Sequence, residues 1–180
     1  MTTRADAQPT LTTARLVLRP LVAADAGAIE RHAGRFEVAG TTVNIPHPYP
    51  PGGAAAFITA QHDAWCEDRG ATWAVTLDGA LIGLIGSPQL VRAHARTRLG
   101  YWIAPEEWNR GYATEAARAF IDWAVAEGFH RIEADHLSRN PASGRVMQKV
   151  GMVHEGRLRA YYRRFDVFED VELYALIAGE

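Results

Sequence analysis

The stretch Leu99-Gly100-Tyr101-Trp102-Ile103-Ala104-Pro105-Glu106-Glu107-Trp108-Asn109-Arg110-Gly111-Tyr112-Ala113-Thr114-Glu115-Ala116-Ala117 decides how the rest of the chain is read. Its first part, Leu99 to Ile103, is aromatic and apolar, a composition that suits a pleated, half-buried strand. Ala104 and Pro105 stop that run. From Thr114 the residues become good helix formers, and Ala116, Ala117, Phe120, Ala124 and Val125 are spaced to share one buried face. Between strand and helix lies Trp108-Asn109-Arg110-Gly111-Tyr112-Ala113. A helix that opens directly after a strand presents unpaired N–H groups at the positive end of its dipole, where phosphate oxygens bind well. Gly111 has no Cβ and allows close approach to its backbone, and Arg110 adds a permanent charge with forked donors. These features imply a diphosphate cradle. The plainer alternative is a Gly-containing turn with a solvated arginine.

Working outward, the preceding residues Ala71–Leu77 and Ala80–Ile85 are apolar runs joined by Asp78-Gly79, a strong hairpin signal because both turn positions accept positive φ. Before them, Gly53 to Arg69 reads as a helix stopped by Gly70, with Ala54, Phe57, Ile58, Ala64 and Trp65 on one side. Thr41 to Pro51 carries four prolines among its last six residues and is a stiff loop. Ala23 to His32 forms a short amphipathic helix with Asp25 in its first turn. Leu11 to Pro20 is an edge-like strand, and residues 1–10 look like a loose tail preceding one domain over 11–180. An Arg-rich link (Arg92, His94, Arg96, Arg98) leads into the strand at Leu99. Downstream, Gly128 ends the central helix and Phe129 to Leu137 is a strand. Asn140-Pro141 and Gly151 bracket a further helix. Met152 to Gly179 supplies two more strands. Hairpins followed by strand–helix–strand units predict an α/β (α+β) domain, a mixed sheet with helices on both faces.

The run Gly100 to Ala116 resembles the acetyl-CoA-binding motif of the GNAT N-acetyltransferase superfamily, and is most similar to its RimJ/RimL-like branch, which includes acetyltransferases of ribosomal-protein N-termini. The superfamily form is Gln or Arg, two residues, Gly, one residue, then Gly or Ala. Trp108, Gly111 and Ala113 take those places here, with Trp departing from the general form as in this branch. The resemblance runs from Arg15-Leu16-Val17-Leu18-Arg19-Pro20 to the terminal strand. It implies a fold in which the strands near Leu99 and Phe129 run parallel and splay apart around the pantetheine arm. It also implies direct transfer of acetyl from acetyl-CoA to an amine. Trp108, Asn109, Arg110, Gly111, Tyr112, Ala113 and Thr114 would then hold the diphosphate, and the backbone of Tyr101, Trp102 and Ile103 would pair with pantetheine amides. Asn140 and Ser143 match the family's Asn-x-x-Ser motif, with Asn140 on the pantetheine arm and Ser143 as proton donor to the thiolate.

The base is where this sequence departs from its relatives. Many carry Glu two positions before the glycine of Gly-Tyr-Trp, where this chain has Arg98, and a guanidinium is no base. His47, in the proline-rich loop, is the candidate substitute; Glu107, Tyr162 and a water relay are alternatives. The rival to an enzyme is an acyl-CoA-binding module that lost its base.

Composition restricts the remaining classes. The 180 residues, 48% hydrophobic and 22% charged, suit one soluble domain. A net charge of −2 offers no global attraction to nucleic acid or membranes. Lys149 is the only lysine among nineteen basic residues. Cys66, the single cysteine, excludes an internal disulfide and multi-cysteine zinc sites, and beside Trp65 it reads as a half-buried structural thiol. No apolar run approaches the roughly 20 residues that span a bilayer, and Met1 to Pro9 lacks a signal peptide's apolar core, so a cytoplasmic protein is expected. The seven histidines show no metal-ligand spacing, and no metal is expected. Arg157, Arg159, Arg163 and Arg164 could steer an acidic peptide or RNA, but the interleaved acids make a solvated hairpin the simpler reading. Relatives suggest a homodimer. The acceptor is a protein N-terminus or a small-molecule amine.

Overall fold

A computed structural model describes residues 6–180. In chain order its elements are β1 (Leu11–Thr12), β2 (Val17–Pro20), a 3-10 turn (Ala23–Asp25), α1 (Ala26–Ala33), α2 (Phe36–Ala39), α3 (Gly53–Cys66), β3 (Ala71–Leu77), β4 (Ala80–Ser87), β5 (Leu90–Val91), β6 (Arg96–Ile103), α4 (Tyr112–Ala126), β7 (Arg131–Leu137), α5 (Pro141–Lys149), β8 (Val153–Arg164) and β9 (Val167–Ile177). The strands form one mixed sheet in the order β1-β2-β3-β4-β6-β7-β9-β8, with β5 pairing beside β6. Among the described residues only β6 and β7 pair in parallel, because α4 carries the chain back over the sheet between them.

One face is covered by α4 and α5. Ala116, Ala117, Phe120 and Ala124 of α4 pack with Trp73, Leu99, Ile132 and Met147. Trp65, Trp73, Phe120, Trp123 and Phe129 meet there edge-on or tilted, with centroids 4.7–6.4 Å apart, arrangements their quadrupoles favour. The opposite face is covered by α1 and α3, where Ile29, Ala33, Ala54 and Ile58 meet Leu21, Ala74, Leu81 and Leu84. The mixed sheet with helices on both faces is therefore as expected from the sequence.

Several boundaries differ, each for a local reason. The strand expected over Leu11–Pro20 is a hairpin of two short strands, because Thr13 turns the chain: its hydroxyl accepts from the Leu16 N–H at 2.9 Å. The Arg-rich link is shorter than expected, since Arg96 and Arg98 already belong to β6. They alternate with buried Thr97 and Leu99, and their guanidinium groups meet Glu133 and Asp135. Helix α3 ends at Cys66 rather than Arg69, and Asp68 rather than Gly70 takes the left-handed position (φ 50°). Cys66 is exposed, not half-buried, because it lies about 100° round the helix from Trp65. Helix α4 begins at Tyr112, two residues before the predicted start. The short helix α2 was not foreseen. Asp6 and Pro9, in the expected tail, accept hydrogen bonds from the indoles of Trp65 and Trp73 at 2.9 and 2.7 Å; residues 1–5 lie outside the described residues. Among the described residues no helix is long and apolar enough to cross a membrane.

The pairing of β6 changes along its length. Arg96 to Leu99 pair with Arg131 to Ala134 of β7. Beyond that point Gly100 to Ile103 pair with β4 alone, and Asp135 to Leu137 with β9 alone. The two parallel strands part, and a slot opens between them. Gly86 of β4 stands opposite both Thr72 and Gly100. A Cβ added there would lie 2.7 Å from Thr72 Cα and closer still to the Ala71 carbonyl, neither of which can rotate aside. Gly86→Ala is expected to lower stability by about 1–3 kcal/mol through overpacking, read as a lower urea midpoint at unchanged m; an unchanged midpoint would refute the close approach.

Candidate active site

The loop after β6 is shaped by backbone geometry rather than by side-chain charge. Trp108 folds back so that its indole N–H donates to the Ile103 carbonyl at 2.7 Å. Asn109 (φ 61°) and Gly111 (φ 83°) are both left-handed, a conformation glycine adopts without a Cβ penalty. The first helical hydrogen bond of α4 runs from Glu115 N to Gly111 O at 3.0 Å. The N–H groups of Tyr112, Ala113 and Thr114 therefore have no helical acceptor, and these three residues line a cleft. Sequence reasoning missed Arg15 in this corner. Its guanidinium donates to Arg110 O at 3.0 Å and to Glu115 Oε2 at 2.7 Å, and it stands 4.6 Å from the centroid of the Tyr112 ring. Nothing local to Arg15 signals this role; the contact exists only because the β1–β2 turn reaches α4.

Arg110, in contrast, is turned out of the cradle. Its Nη1 lies 3.1 Å from Glu107 Oε2, an ion pair without good hydrogen-bond alignment, and its side chain is absent from the cleft wall. Any grip on phosphate here is a main-chain grip, because Arg15 too is absent from the cleft wall and its guanidinium is committed to Glu115 and the Arg110 carbonyl, bracing the corner from outside.

The slot itself brings together three of the predicted residues. Ser143 sits in the first turn of α5, with its N–H donating to Asn140 O at 3.2 Å. Its Oγ is 2.7 Å from the Tyr101 hydroxyl, which also donates to Ser143 O at 3.3 Å. Burial pushes the Tyr101 phenol up to about 12, opposed in part by the Ser143 bond. The sequence reading used only the backbone of Tyr101; its side chain could have been found from strand alternation, which sends Leu99, Tyr101 and Ile103 to the α4–α5 face. Asn140 holds the N-cap position, yet its side chain makes no capping hydrogen bond and faces the cleft. Trp102 points to the other face, against the α1–α3 core.

On that second face Arg98, Asp135 and Tyr162 meet at the parting of β6 and β7. Arg98 Nε donates to Asp135 Oδ1 at 3.2 Å, Nη2 lies 2.5 Å from Asp135 Oδ2, and Nη2 donates to the Tyr162 hydroxyl at 3.1 Å. Burial, then the Asp135 carboxylate, push the Tyr162 phenol up. His47 is not with them. Its Nδ1 is 2.9 Å from Gly34 O and its ring stands edge-on to Phe36 at 5.4 Å, outside the cleft wall. The proline-rich loop turns the ring outward while Thr41 to Pro46 line the cleft, so the geometry gives no support to His47 as the base.

The cleft has a volume of about 990 Å3 and runs from the cradle, past Tyr101 and Ser143, to Arg98, Asp135 and Tyr162. Its far wall is largely apolar, with Ile45, Tyr49, Phe57 and Trp102 among its residues. The β8–β9 arginines are mostly engaged: Arg157 with Asp170 at 2.5 Å, Arg163 with Asp166 at 2.9 Å, and Arg164 with the carbonyls of Ala39 and Ile45. Among the described residues no three His, Cys, Asp or Glu side chains gather to hold a metal.

Residues 15–153 match the family model of the acetyltransferase (GNAT) domain. The chain belongs to that family, and it is an N-acetyltransferase. It is 31% identical over 172 residues to the uncharacterized N-acetyltransferase YoaA of Bacillus subtilis, covering 94% of this chain and 97% of YoaA. It is 29% identical over 98 residues to the ribosomal-protein-serine acetyltransferase of Escherichia coli, about half of each chain (54% and 55%). In fold it is similar to Mycobacterium smegmatis RimJ in complex with CoA-disulfide, with a TM-score of 0.88 at 24% identity, covering 94% of this chain and 88% of that one.

The buried phenol has a measurable consequence. With a folded pKa of about 12 against an ordinary 10, Tyr101 keeps its proton in the native state where the unfolded chain would release it. Its contribution to stability is whole below pH 10 and is lost as pH rises through 12. Wild type and Tyr101→Phe should therefore converge in urea midpoint across that window. A gap that stays constant from pH 10 to pH 12 would refute the burial of this hydroxyl.

Proposed function

We propose that the chain transfers acetyl from acetyl-CoA directly to a primary amine, a protein N-terminus or a small-molecule amine, with both substrates bound at once. The observation that carries this reading is the array of unpaired α4 N–H groups opening into the same cleft as the Tyr101–Ser143 hydroxyl pair. The anionic diphosphate suits the helix terminus, where N–H donors and dipole act together, and the left-handed Gly111 leaves room for it. The loop Trp108–Thr114 forms this grip. Past it, Gly100 to Ile103 have β4 on one edge and no strand on the other, so the free edge suits pantetheine amides, as a peptide adds to a sheet. The Asn140 amide, uncommitted as a cap, offers a donor and an acceptor to the same arm.

Acetyl-CoA is a substrate that supplies an activated acyl group on sulfur. What the chain supplies is proximity and polar groups. Two reactants held in register save much of the barrier, and no nucleophilic side chain is needed. Ser143 and Tyr101 are a hydroxyl pair in which one oxygen can pass a proton to the departing sulfur while the other supports it. The high pKa of Tyr101 keeps that hydroxyl protonated at neutral pH. Relatives named for ribosomal-protein serine acetylation and for RimJ support a protein amine as acceptor.

Calorimetry with acetyl-CoA, followed by thiol release with a panel of peptides and amines, tests the reading. Gly111→Glu places a side chain and a negative charge in the cradle, at a fold cost of about 1–2 kcal/mol for a left-handed residue. It should stay folded and bind acetyl-CoA at least about a hundredfold more weakly (roughly 2.7 kcal/mol). Unchanged affinity would refute the cradle. Ser143→Ala should lower kcat by about tenfold to a hundredfold with little change in affinity for acetyl-CoA; equal turnover would remove Ser143 from the mechanism.

A further inference from the structure

We infer that the Asp135 carboxylate receives the acceptor amine and offsets the positive charge that develops on the amine nitrogen during attack, with Arg98 and Tyr162 as the positioning residues that hold the carboxylate. The inference rests on the acetyl-transfer reading and adds to it the group on the amine's side of the reaction.

Among the described residues that line the cleft, the carboxylates are Glu107 and Asp135. Glu107 lies in the 3-10 turn after β6 and pairs with Arg110. Asp135 is the first residue of β7 beyond the last pair with β6, which joins Leu99 and Ala134. It therefore stands at the mouth of the slot. Strand alternation puts it on the same face as Arg98 and on the face opposite to the Tyr101 side chain. An acyl group passing between the two strands would thus have hydroxyls behind it and this carboxylate in front.

The carboxylate is also held firmly. Arg98 engages both oxygens, at 3.2 and 2.5 Å, and donates at 3.1 Å to the Tyr162 hydroxyl. The Asp135 side chain keeps only 14% of its exposure. Two contacts from one arginine leave further lone-pair directions for N–H donors, so an amine can bond to Asp135 without displacing Arg98. The guanidinium fixes the oxygens in the plane where a second donor is useful.

The role needs no strong base. An α-amino group titrates near about 8 and is partly neutral already at pH 7. As the neutral amine attacks, the C–N bond forms, the C–S bond breaks and nitrogen becomes positively charged. A fixed anion a hydrogen bond away stabilises that charge more in the transition state than in the ground state. Nitrogen then gives up one proton through Asp135 to solvent. Sulfur gains one from the Tyr101–Ser143 pair, which is refilled from solvent. The products are the amide and the free thiol, and no further reactant is required.

The competing explanation is structural: Asp135 merely neutralises Arg98. Steady-state kinetics of Asp135→Asn, Asp135→Glu and the double variant Arg98→Met/Asp135→Asn separate the two, with acetyl-CoA affinity and urea midpoint measured on each. Asp135→Asn should lose about a hundredfold in kcat/KM for the amine, mainly in kcat, while binding acetyl-CoA as before. Asp135→Glu should recover part of the loss. The double variant leaves no unpaired guanidinium and should fold well, yet it should be no more active than Asp135→Asn. Recovery of activity in the double variant, or an Asp135→Asn enzyme within threefold of wild type, would overturn the assignment and leave acetyl transfer standing. A wild-type protein that binds acetyl-CoA but acetylates no amine would overturn the acetyl-transfer reading, and this role with it.

Discussion

The cleft of this chain exists because two parallel strands stop pairing. Hydrogen-bond ladders are continuous in most sheets because a buried, unmatched N–H or carbonyl is expensive. Here β6 and β7 separate after Leu99 and Ala134, yet each keeps its other neighbour, β4 and β9 respectively. The fold therefore retains half of each strand's ladder and leaves the inner halves facing a gap. That gap is polar along its edges and closed at its root by the aligned pairs from Arg96 to Leu99. A ligand that can itself hydrogen-bond like a strand restores what the separation gives up. The Arg98–Asp135 ion pair spans the root of the gap from one strand to the other, so a pair of opposite charges sits at the point of divergence.

The same division explains what could be read from the sequence. The strand–loop–helix at Leu99–Ala117 was legible because its signals are local: an aromatic run, a proline stop, a glycine at a left-handed turn and a helical period. The Asp78-Gly79 hairpin was legible for the same reason, and both residues do take positive φ. Motif spacing named Asn140, Ser143 and the Trp108–Thr114 loop, and the fold brings all of them to the wall of one cleft, Arg110 excepted. Contacts set by topology were not legible. Arg15 reaches the cradle from a hairpin near the other end of the chain, and Asp135 meets Arg98 because α4 returns β7 alongside β6. The alternation that places Arg96 and Arg98 inside β6 was present in the sequence, but arginine spacing looks like a polar link until its partners Glu133 and Asp135 are known. His47 is the reverse case, a chemically suitable residue that the fold places outside the cleft wall. A histidine in a functional loop has the right chemistry, but which way a proline-rich loop turns its ring depends on Gly34 and Phe36.

Charge is used in this chain at opposite helix ends for different purposes. The N-terminus of α4 is left open, with donors facing the cleft. The C-terminus of α2 is closed: Arg139 donates to Gly40 O at 2.6 Å, and Arg164 to Ala39 O at 2.9 Å. Cations at a helix C-terminus match its partial negative charge. These two arginines come from the β7–α5 connection and from β8, so they tie the start of the loop over the cleft to the distant half of the sheet. Arg164 also reaches the Ile45 carbonyl, adding a long-range tie to a loop whose own side-chain hydrogen bonds, from Thr41, Thr42 and His47, all go back to the α1–α2 segment. In the last hairpin, then, Arg164 works as an internal tie, while Arg157 and Arg163 pair with acids of the same hairpin.

A division of labour between backbone and side chain follows. The cradle depends on φ angles and free N–H groups, which many sequences can supply provided Gly111 stays small. Arg110 accordingly turns away to Glu107 without emptying the cradle of donors. The other end of the cleft, proposed above for the acceptor, depends on side chains with fixed partners: Arg98, Asp135 and Tyr162, with Ile45, Tyr49, Phe57 and Trp102 lining the same cleft. Substitutions at the first end act through geometry and should be tolerated or not according to size. At the second end, exchanging one member of the ion pair changes the charge seen by the other, so single substitutions there are coupled. On the proposed reading, such a fold would keep one grip on a common donor while its acceptor changed, because the residues that would have to change are not those that shape the grip.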